Sequence, residues 1–253
     1  MAIFADTYYL MVRALRETIR QPAFEFQNLF IPLFFFAVTV GAVGNVSAQA
    51  FGVDNYTGFQ MPVAILQGVA GAAAVSSFTV VNDIEKGYFD KLLLTPANRL
   101  ALLTGRLAAD GVRVTILTAV ILTVGLIFGA GMEAGVGGII VILLLSASFG
   151  MAYGGLSIAI ALRTGSAQAA NAGFLLFFPL LFLSPAFAPV EVFDGWLKFL
   201  ATINPVAYIL VGIRSLVLEG WDWGDLGAAA AAIGGLGLFT MSLALWALRY
   251  RTS

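Results

Sequence analysis

The chain has 253 residues, of which 60% are hydrophobic and only 11% are charged, and its mean hydropathy is +0.95. A soluble domain carries about 25% charged residues, so the composition excludes an ordinary soluble fold and predicts a membrane protein. The net charge of −1 argues against nucleic acid as a partner. The chain has no cysteine and no histidine, which excludes disulfides, thiolate or imidazole metal sites and the most common general base.

Six stretches without an ionisable residue run through the chain, over residues 26–53, 58–82, 114–132, 134–162, 164–190 and 226–248. Each holds about the 20 apolar residues that a helix needs to cross the hydrocarbon core, and in lipid only a helix satisfies the backbone of such a segment. We therefore predict an all-α polytopic membrane protein with one transmembrane domain over residues 1–253. Its six transmembrane helices are predicted over residues 27–47, 61–81, 109–130, 137–161, 168–187 and 227–248.

Positive charge falls mostly on one side of these spans. Eleven of the thirteen basic residues lie before span one, after span two, after span four or after span six. The positive-inside rule makes that side cytoplasmic, so both termini are predicted to be cytoplasmic. The external side has only Lys198 and Arg214.

Residues 5–21 are predicted to form an amphipathic helix before span one. A stripe of apolar residues recurs at helical spacing, and Arg13, Arg16 and Arg20 lie on another face. Such a helix suits the cytoplasmic membrane interface. It either anchors the chain through its positive charge alone or forms an elbow that touches a partner.

Residues 191–218, between spans five and six, contain an uncharged run that is too short to cross the membrane. Asn204 and Pro205 break this run in the middle. We predict a helix–break–helix that dips into the outer leaflet, with Lys198 and Arg214 snorkelling to the surface. The alternative is an ordinary external loop with two surface helices.

The sequence shows no catalytic constellation and no P-loop, because no lysine follows the glycine that this motif requires. Asp83 and Glu85 lie close together, but they flank a cytoplasmic loop with Lys86 and are interpreted as a solvated charge cluster.

The middle of every predicted span lacks the ionisable residue that ion-coupled carriers usually place at membrane depth. Arg106, Asp110 and Arg113 fall one helical turn apart where span three begins, a spacing that favours mutual pairing. Ion coupling through Asp110 is the alternative. If no ion is coupled in this way, the energy for uphill transport has to come from another protein, through the cytoplasmic face.

Two regions resemble one family. Residues 83–99, with the Gly-Arg pair that opens span three, resemble the segment after the second span in ABC-2 type permeases, the membrane subunits of one exporter class of ATP-binding-cassette transporters. Residues 183–220 are similar to the external region of the same family, and within it the chain is most similar to daunorubicin-resistance-type permeases. Family members often have Pro where this chain has Gly195.

The resemblance implies that residues 83–99 carry a short cytoplasmic coupling helix that rests on an ATPase. Residues 5–21 would be the elbow helix, and residues 191–218 the external re-entrant helices. The implied coupling residues are Asp83, Glu85, Lys86, Gly87, Leu92, Leu93, Pro96 and Arg99, and the implied external residues are Trp196, Asn204, Pro205, Tyr208 and Arg214.

The resulting hypothesis is the permease subunit of an exporter in a bacterial plasma membrane. Two copies, or one copy with a sister permease, would form the pathway above two ATPase subunits. Those subunits would bind ATP and Mg, and this chain would hold no cofactor and no catalytic site. The alternatives are a non-transporting scaffold or receptor for a cytoplasmic partner, and an ion-coupled exporter.

A lipophilic cargo, such as a drug, a lipid or a polyketide-like molecule, is favoured because no buried charge is expected to bind a polyanion. Aromatic rings in spans one and five are candidate walls of the substrate path, although such rings also commonly face lipid. The candidate rings are Phe30, Phe34, Phe177, Phe178 and Phe182.

Overall fold

The computed structural model describes residues 2–95 and 98–251, and every regular element in these ranges is helical. The first five helices are α1 (Ala2–Ile19), α2 (Pro22–Phe51), α3 (Tyr56–Glu85), α4 (Tyr88–Leu93) and α5 (Arg99–Ile127). The next five are α6 (Gly135–Thr164), α7 (Ala167–Phe182), α8 (Gly195–Ile203), α9 (Pro205–Leu218) and α10 (Trp223–Arg251), with a short 3₁₀ turn over Val190–Val192.

Within the described residues, α2, α3, α5, α6 and α10 are long and apolar enough to cross a membrane. A sixth crossing is possible if α8 and α9, which bend by 80° at the residue between them, count as one broken span. Helix α7, predicted over residues 168–187, has only 16 residues. At 1.5 Å per residue it is about 24 Å long, which is less than the roughly 30 Å of the hydrocarbon core.

The bundle packs around α3. In its most apolar stretch 72% of the residues are buried, against 11% for α2, which lies at the periphery. Helices α2, α5, α6, α7 and α9 all contact α3. The largest fully buried side chains include Met61 and Leu66 of α3, Phe149 of α6 and Phe177 of α7. Apolar side chains from most of the helices thus share one core.

A second, smaller apolar cluster joins the ends of several helices that are far apart in the sequence. It contains Val80 of α3, Phe89 of α4, Leu107 of α5, Leu162 of α6 and Leu248 of α10. The segments that carry most of the basic residues therefore meet at one end of the bundle. We call it the basic end.

Helix α5 begins at Arg99, ahead of the predicted start at residue 109. Its first turns pack against α1, where the hydroxyl groups of Thr7 and Thr104 lie 3.2 Å apart. Gly105 allows the close approach, because a Cβ at this position would lie 2.8 Å from the Cβ of Leu10. The predicted span covered only about the uncharged part of α5. The whole helix has 29 residues and is about 43 Å long, so it extends beyond the hydrocarbon core.

The break between α8 and α9 falls at Asn204, and Pro205 occupies the first position of α9, which suits a residue without a backbone donor. The Asn204 side chain accepts from the Val206 backbone N–H at 3.0 Å and donates to the Leu180 carbonyl at 2.5 Å. The Tyr208 hydroxyl donates across the break to the Thr202 carbonyl at 2.6 Å. The bend is therefore held by specific hydrogen bonds.

Arg214 does not snorkel to the surface, and this prediction is wrong. The residue is 7% exposed. Its guanidinium donates to the Phe59 carbonyl at 3.1 and 3.0 Å and to the Pro185 carbonyl at 2.7 Å, and it lies 3.5 Å from the centre of the Phe59 ring. Backbone carbonyls satisfy the cation inside the protein, so it need not reach water. Lys198, the other predicted snorkelling residue, is exposed.

Candidate functional site

Asp83 lies at the centre of a charged junction at the basic end. It belongs to the last turn of α3 and is only 7% exposed. The Nη2 of Arg13 on α1 lies 3.1 Å from both of its carboxylate oxygens, and Nη1 of Arg106 on α5 lies 3.5 Å from one of them. The prediction of a solvated cluster is therefore wrong for Asp83, because α3 continues past it to Glu85 and directs it towards α1 and α5. Glu85 and Lys86 are exposed.

Arg13 makes further contacts that extend this junction. It donates to Glu17 at 2.6 Å, and its guanidinium lies 4.1 Å from the centre of the Tyr88 ring. Tyr88 is the first residue of α4. One side chain of α1 thus contacts both the end of α3 and the start of α4. We call Arg13, Asp83, Tyr88 and Arg106 the Asp83 junction.

Arg106 is tied to α3 by a second set of contacts. Its Nε donates to the Ser76 hydroxyl at 3.3 Å and its Nη2 to the Ser76 carbonyl at 3.1 Å. Sequence reasoning missed Ser76, Glu17 and Tyr88. Only Glu17 carried a usable signal, since it lies four residues after Arg13 on the same helix.

Helix α4 lies at the basic end, next to the end of α3. Gly87 precedes it with a φ of 66°, a left-handed conformation that favours glycine. Phe89 is buried and attaches α4 to the bundle, whereas the outer residues are exposed. Pro96, the predicted second break, lies outside the described residues. The predicted residues Leu92 and Leu93 are half-buried, and the exposed residues are Glu85, Lys86, Asp90, Lys91, Leu94 and Arg99, with Arg16 and Arg20 on and just beyond α1.

A second ionic cluster lies deeper between α2, α3 and α5. Arg113 binds Asp110 at 3.1 Å and Glu25 of α2 at 2.5 Å, and its Nη1 donates to the Ala72 carbonyl at 3.4 Å. The Asp110–Arg113 pair has the predicted spacing. Arg106 instead pairs with Asp83, and sequence reasoning missed Glu25, which comes from another helix.

Helices α2 and α7 flank a lateral groove whose floor is α3. Asn28, Gln67 and Gly71 line it together with rings from both flanking helices. Of the five rings predicted for a substrate path, Phe177 and Phe178 line the groove, and Phe177 is fully buried.

The other three rings lie elsewhere, so the five predicted rings do not form one surface. Phe30 and Phe34 stack on each other at 5.8 Å and are each 52% exposed, and Phe182 stacks on Phe187 at 5.3 Å. Phe35 and Phe174 line the groove in their place. The predicted rings therefore lie on different faces of α2 and α7, and the substrate path stays a prediction.

No group of carboxylates in residues 2–95 and 98–251 is arranged to hold a metal ion. The α8–α9 bend is held as described above, and Trp196 of α8 is exposed. Gly195 begins α8 with a φ of 55°, a conformation that proline cannot adopt. At this position the chain therefore departs in backbone as well as in residue type from the pattern it resembles.

A helical bundle with this many apolar helices is that of a multi-pass membrane protein. The family model for the ABC-2 type transporter matches residues 5–218, from α1 to the end of α9. The chain therefore belongs to the ABC-2 type transporter family. Permeases of this family work with ATP-binding-cassette ATPase subunits and are not themselves catalytic.

Two curated relatives are drug-resistance permeases. The chain is 24% identical over 209 residues to a daunorubicin resistance ABC transporter permease protein, DrrB1, of Streptomyces coeruleorubidus, covering 82% of this chain and 73% of the relative. It is 23% identical over 196 residues to a probable doxorubicin resistance ABC transporter permease protein, DrrC, of Mycobacterium tuberculosis, covering 76% of this chain and 69% of the relative. The matched family region contains the Asp83 junction, the lateral groove and the α8–α9 bend.

Proposed function

We propose that this chain is the permease subunit of an exporter that moves a lipophilic substrate outward across a bacterial plasma membrane. ATP and Mg would bind to a separate ATPase subunit. Two ATPase copies would dock at the basic end of two permease copies, or of one copy and a sister permease. The names of the two relatives, which refer to daunorubicin and doxorubicin resistance, support a drug-like substrate.

The observation that carries this proposal is the Asp83 junction. Helix α4 and the exposed face of α1 present exposed side chains at the basic end, so they are the elements that an ATPase would press under this proposal. Arg13 connects both to the end of α3, and Arg106 connects that end to the start of α5. A displacement of α4 would therefore reach two spans through direct side-chain contacts.

The position of α3 makes this connection useful for transport. Because α3 is the central helix of the bundle and forms the floor of the lateral groove, a tilt of its lower end would change the groove. The ion pairs are half-buried or buried, so salt and water weaken them less than fully exposed pairs. Coupling of this kind requires an element with two discrete arrangements that both sites bias, and the junction with α3 is our candidate for that element.

Coupling is tested by purifying the permease with its candidate ATPase and reconstituting both into proteoliposomes. Arg13→Met removes the contacts to Asp83 and Tyr88 and leaves a side chain of similar length. We expect ATP hydrolysis to continue while substrate export per ATP falls at least about fivefold, the effect of losing roughly 1 kcal/mol of coupling. Arg13→Lys, which keeps the charge but not the planar two-oxygen contact, would be intermediate.

The matched control is Lys198→Met, which removes one exposed positive charge from the external region. It is expected to export normally. The assignment of the junction would be wrong if Arg13→Met exported as many substrate molecules per ATP as Lys198→Met does.

Ion coupling through Asp110 remains the second candidate, because this residue is an ionisable group that is 2% exposed inside a spanning helix. Ion coupling predicts that Asp110→Asn abolishes export, whereas a hydrolysis-dead ATPase does not abolish it. The non-transporting scaffold predicts assembly with the ATPase and no export at all. Our proposal predicts that the hydrolysis-dead ATPase stops export completely.

A further inference from the structure

One arginine at the basic end is held by aromatic rings instead of a carboxylate. We propose that Arg163, together with Trp246 and Tyr250, binds the headgroup of an anionic phospholipid in the membrane leaflet at the basic end. The ligand would be a structural lipid and not the transported molecule, so this inference does not rest on the proposed export function.

The position of Arg163 is fixed by the neighbouring helix. It lies in the last turn of α6 and is exposed. Its guanidinium carbon lies 3.5 Å from the centre of the Tyr250 ring and 5.3 Å from the centre of the Trp246 ring, both near the end of α10. Stacking on a ring occupies the face of a guanidinium and leaves N–H groups at its edge for an anion. The two rings therefore present the cation at one place on the surface of the bundle.

Arg163 has no carboxylate to neutralise it. None of the ion pairs among residues 2–95 and 98–251 includes it. Helix α6 contains no Asp or Glu, and the single carboxylate of α10, Asp225, lies in the first turn at the opposite end. By contrast, Arg13 and Arg106 both pair with Asp83. The corner formed by Arg163 and the end of α10 thus carries positive charge that an anion from outside the chain can neutralise.

The surface that continues from this corner along α10 is apolar. Phe239, Leu243, Trp246 and Tyr250 follow one another at intervals of three or four residues and therefore share one face of the helix. Leu243 is half-buried and the three rings are exposed. Phe239 lies near the middle of α10, which a water-soluble partner cannot reach in the membrane. A phospholipid fits both parts, because its acyl chain covers the apolar face while its phosphate meets Arg163.

The charge of the corner selects the kind of headgroup. In phosphatidylcholine the phosphate is already balanced by the choline cation, whereas phosphatidylglycerol has a net negative charge. Basic residues close to the membrane surface attract anionic lipids. Arg249, which is exposed and precedes Tyr250, adds a second positive charge at the end of α10. A preference for anionic over zwitterionic lipid is therefore the property that distinguishes this site.

Trp246 can report lipid binding at the site, because bromine atoms on a lipid chain quench the fluorescence of a tryptophan that they contact. The full-length permease would be placed in phosphatidylcholine bilayers with increasing amounts of dibrominated phosphatidylglycerol or dibrominated phosphatidylcholine. The Trp246 signal is the difference between the wild-type protein and Trp246→Phe, which retains the other tryptophans. We expect the relative binding constant to favour phosphatidylglycerol by about fivefold, the effect of one basic residue near the membrane surface.

Three substitutions and one control locate this preference. Arg163→Gln removes the charge and is expected to reduce the preference to less than about twofold, and Arg163→Lys, which keeps the charge without the planar group, would be intermediate. Tyr250→Leu removes the ring that holds the guanidinium and is expected to lower the preference by at least about twofold. The matched control is Lys91→Gln, which removes one exposed positive charge from α4 at the same end of the bundle and would leave the preference unchanged.

The proposal is overturned if the wild-type protein shows no preference. It is also overturned if Arg163→Gln and Lys91→Gln lower the preference equally, since the general surface charge would then explain it. If Arg163→Gln keeps the lipid preference but no longer purifies with the candidate ATPase, the corner is a protein interface and the proposal is wrong. If Arg163→Gln does not fold, the result with Tyr250→Leu decides.

The lipid measurements use no ATPase and no ATP. Absence of the preference would therefore refute the lipid site and leave the coupling experiment with Arg13 unaffected. Conversely, failure of coupled export would refute the proposed function even if phosphatidylglycerol bound as expected.

Discussion

Replacing Asp83 by asparagine tests how far the charged junction stabilises the bundle. The substitution keeps the size of the side chain but removes the negative charge between Arg13 and Arg106. The two guanidinium groups, 3.1 and 3.5 Å away, would then lose the carboxylate between them, and Arg13 would keep only Glu17 as a counter-ion.

The expected loss follows from the burial of the groups. Exposed ion pairs are worth about 0–1 kcal/mol, and removing one partner of a fully buried pair costs about 3–5 kcal/mol. The side chains of Arg13, Arg106 and Asp83 are 28%, 14% and 10% exposed, which places the junction between these limits. We expect Asp83→Asn to lower the free energy of unfolding by about 2 kcal/mol.

The assay is reversible unfolding of the purified permease in mixed micelles with increasing denaturing detergent, followed by circular dichroism. Glu85→Gln is the matched control, since it removes an exposed carboxylate two residues further along α3 and should change stability by less than about 0.5 kcal/mol. Double-mutant cycles with Arg13→Met and Arg106→Met would divide the loss between the two pairs. Equal stability of the Asp83→Asn and Glu85→Gln variants would refute the view that the junction is a buried structural connection.

Two further substitutions test other parts of the same argument. Gly87→Ala places a Cβ in a left-handed conformation at a cost of about 1 kcal/mol, so hydrogen exchange of the α4 amides is expected to accelerate by about fivefold. Gly227→Ala, at an exposed position of α10, would not affect them. Unchanged exchange in α4 would contradict the role of Gly87. Arg214→Met leaves the Phe59 and Pro185 carbonyls without their donor and is expected to cost about 2–3 kcal/mol of unfolding free energy. Lys198→Met would cost almost nothing, and an equally small effect of the two substitutions would show that Arg214 is dispensable.

The long helices could be predicted because lipid restricts the backbone so strongly. An uncharged run of about 20 residues has to be helical, and the predicted spans lie within or overlap helices α2, α3, α5, α6, α7 and α10. The ends of the helices were less predictable, since the limit of the apolar run marks the membrane and not the helix. Helix α5 therefore begins before residue 109, and α7 ends at Phe182, just before the turn that contains Pro185.

Contacts within one helix could also be predicted, because spacing alone brings Asp110 and Arg113 together. Contacts between helices could not be predicted, because nothing in the local sequence indicates that Arg13 pairs with Asp83 or Glu25 with Arg113.

The same limitation explains the error over Arg214, whose partners are backbone carbonyls at positions 59 and 185 that carry no sequence signal. Asp83 and Arg214, two of the charges that sequence analysis assigned to the surface, are buried and connect helices. Because an apolar bundle in lipid gains little from hydrophobic contact between helices, such polar connections have a large share in determining which helices move together. The buried charges of α3, α5 and α9 are therefore where we expect a substitution to change both the stability of the bundle and, under the proposed function, its response to an ATPase.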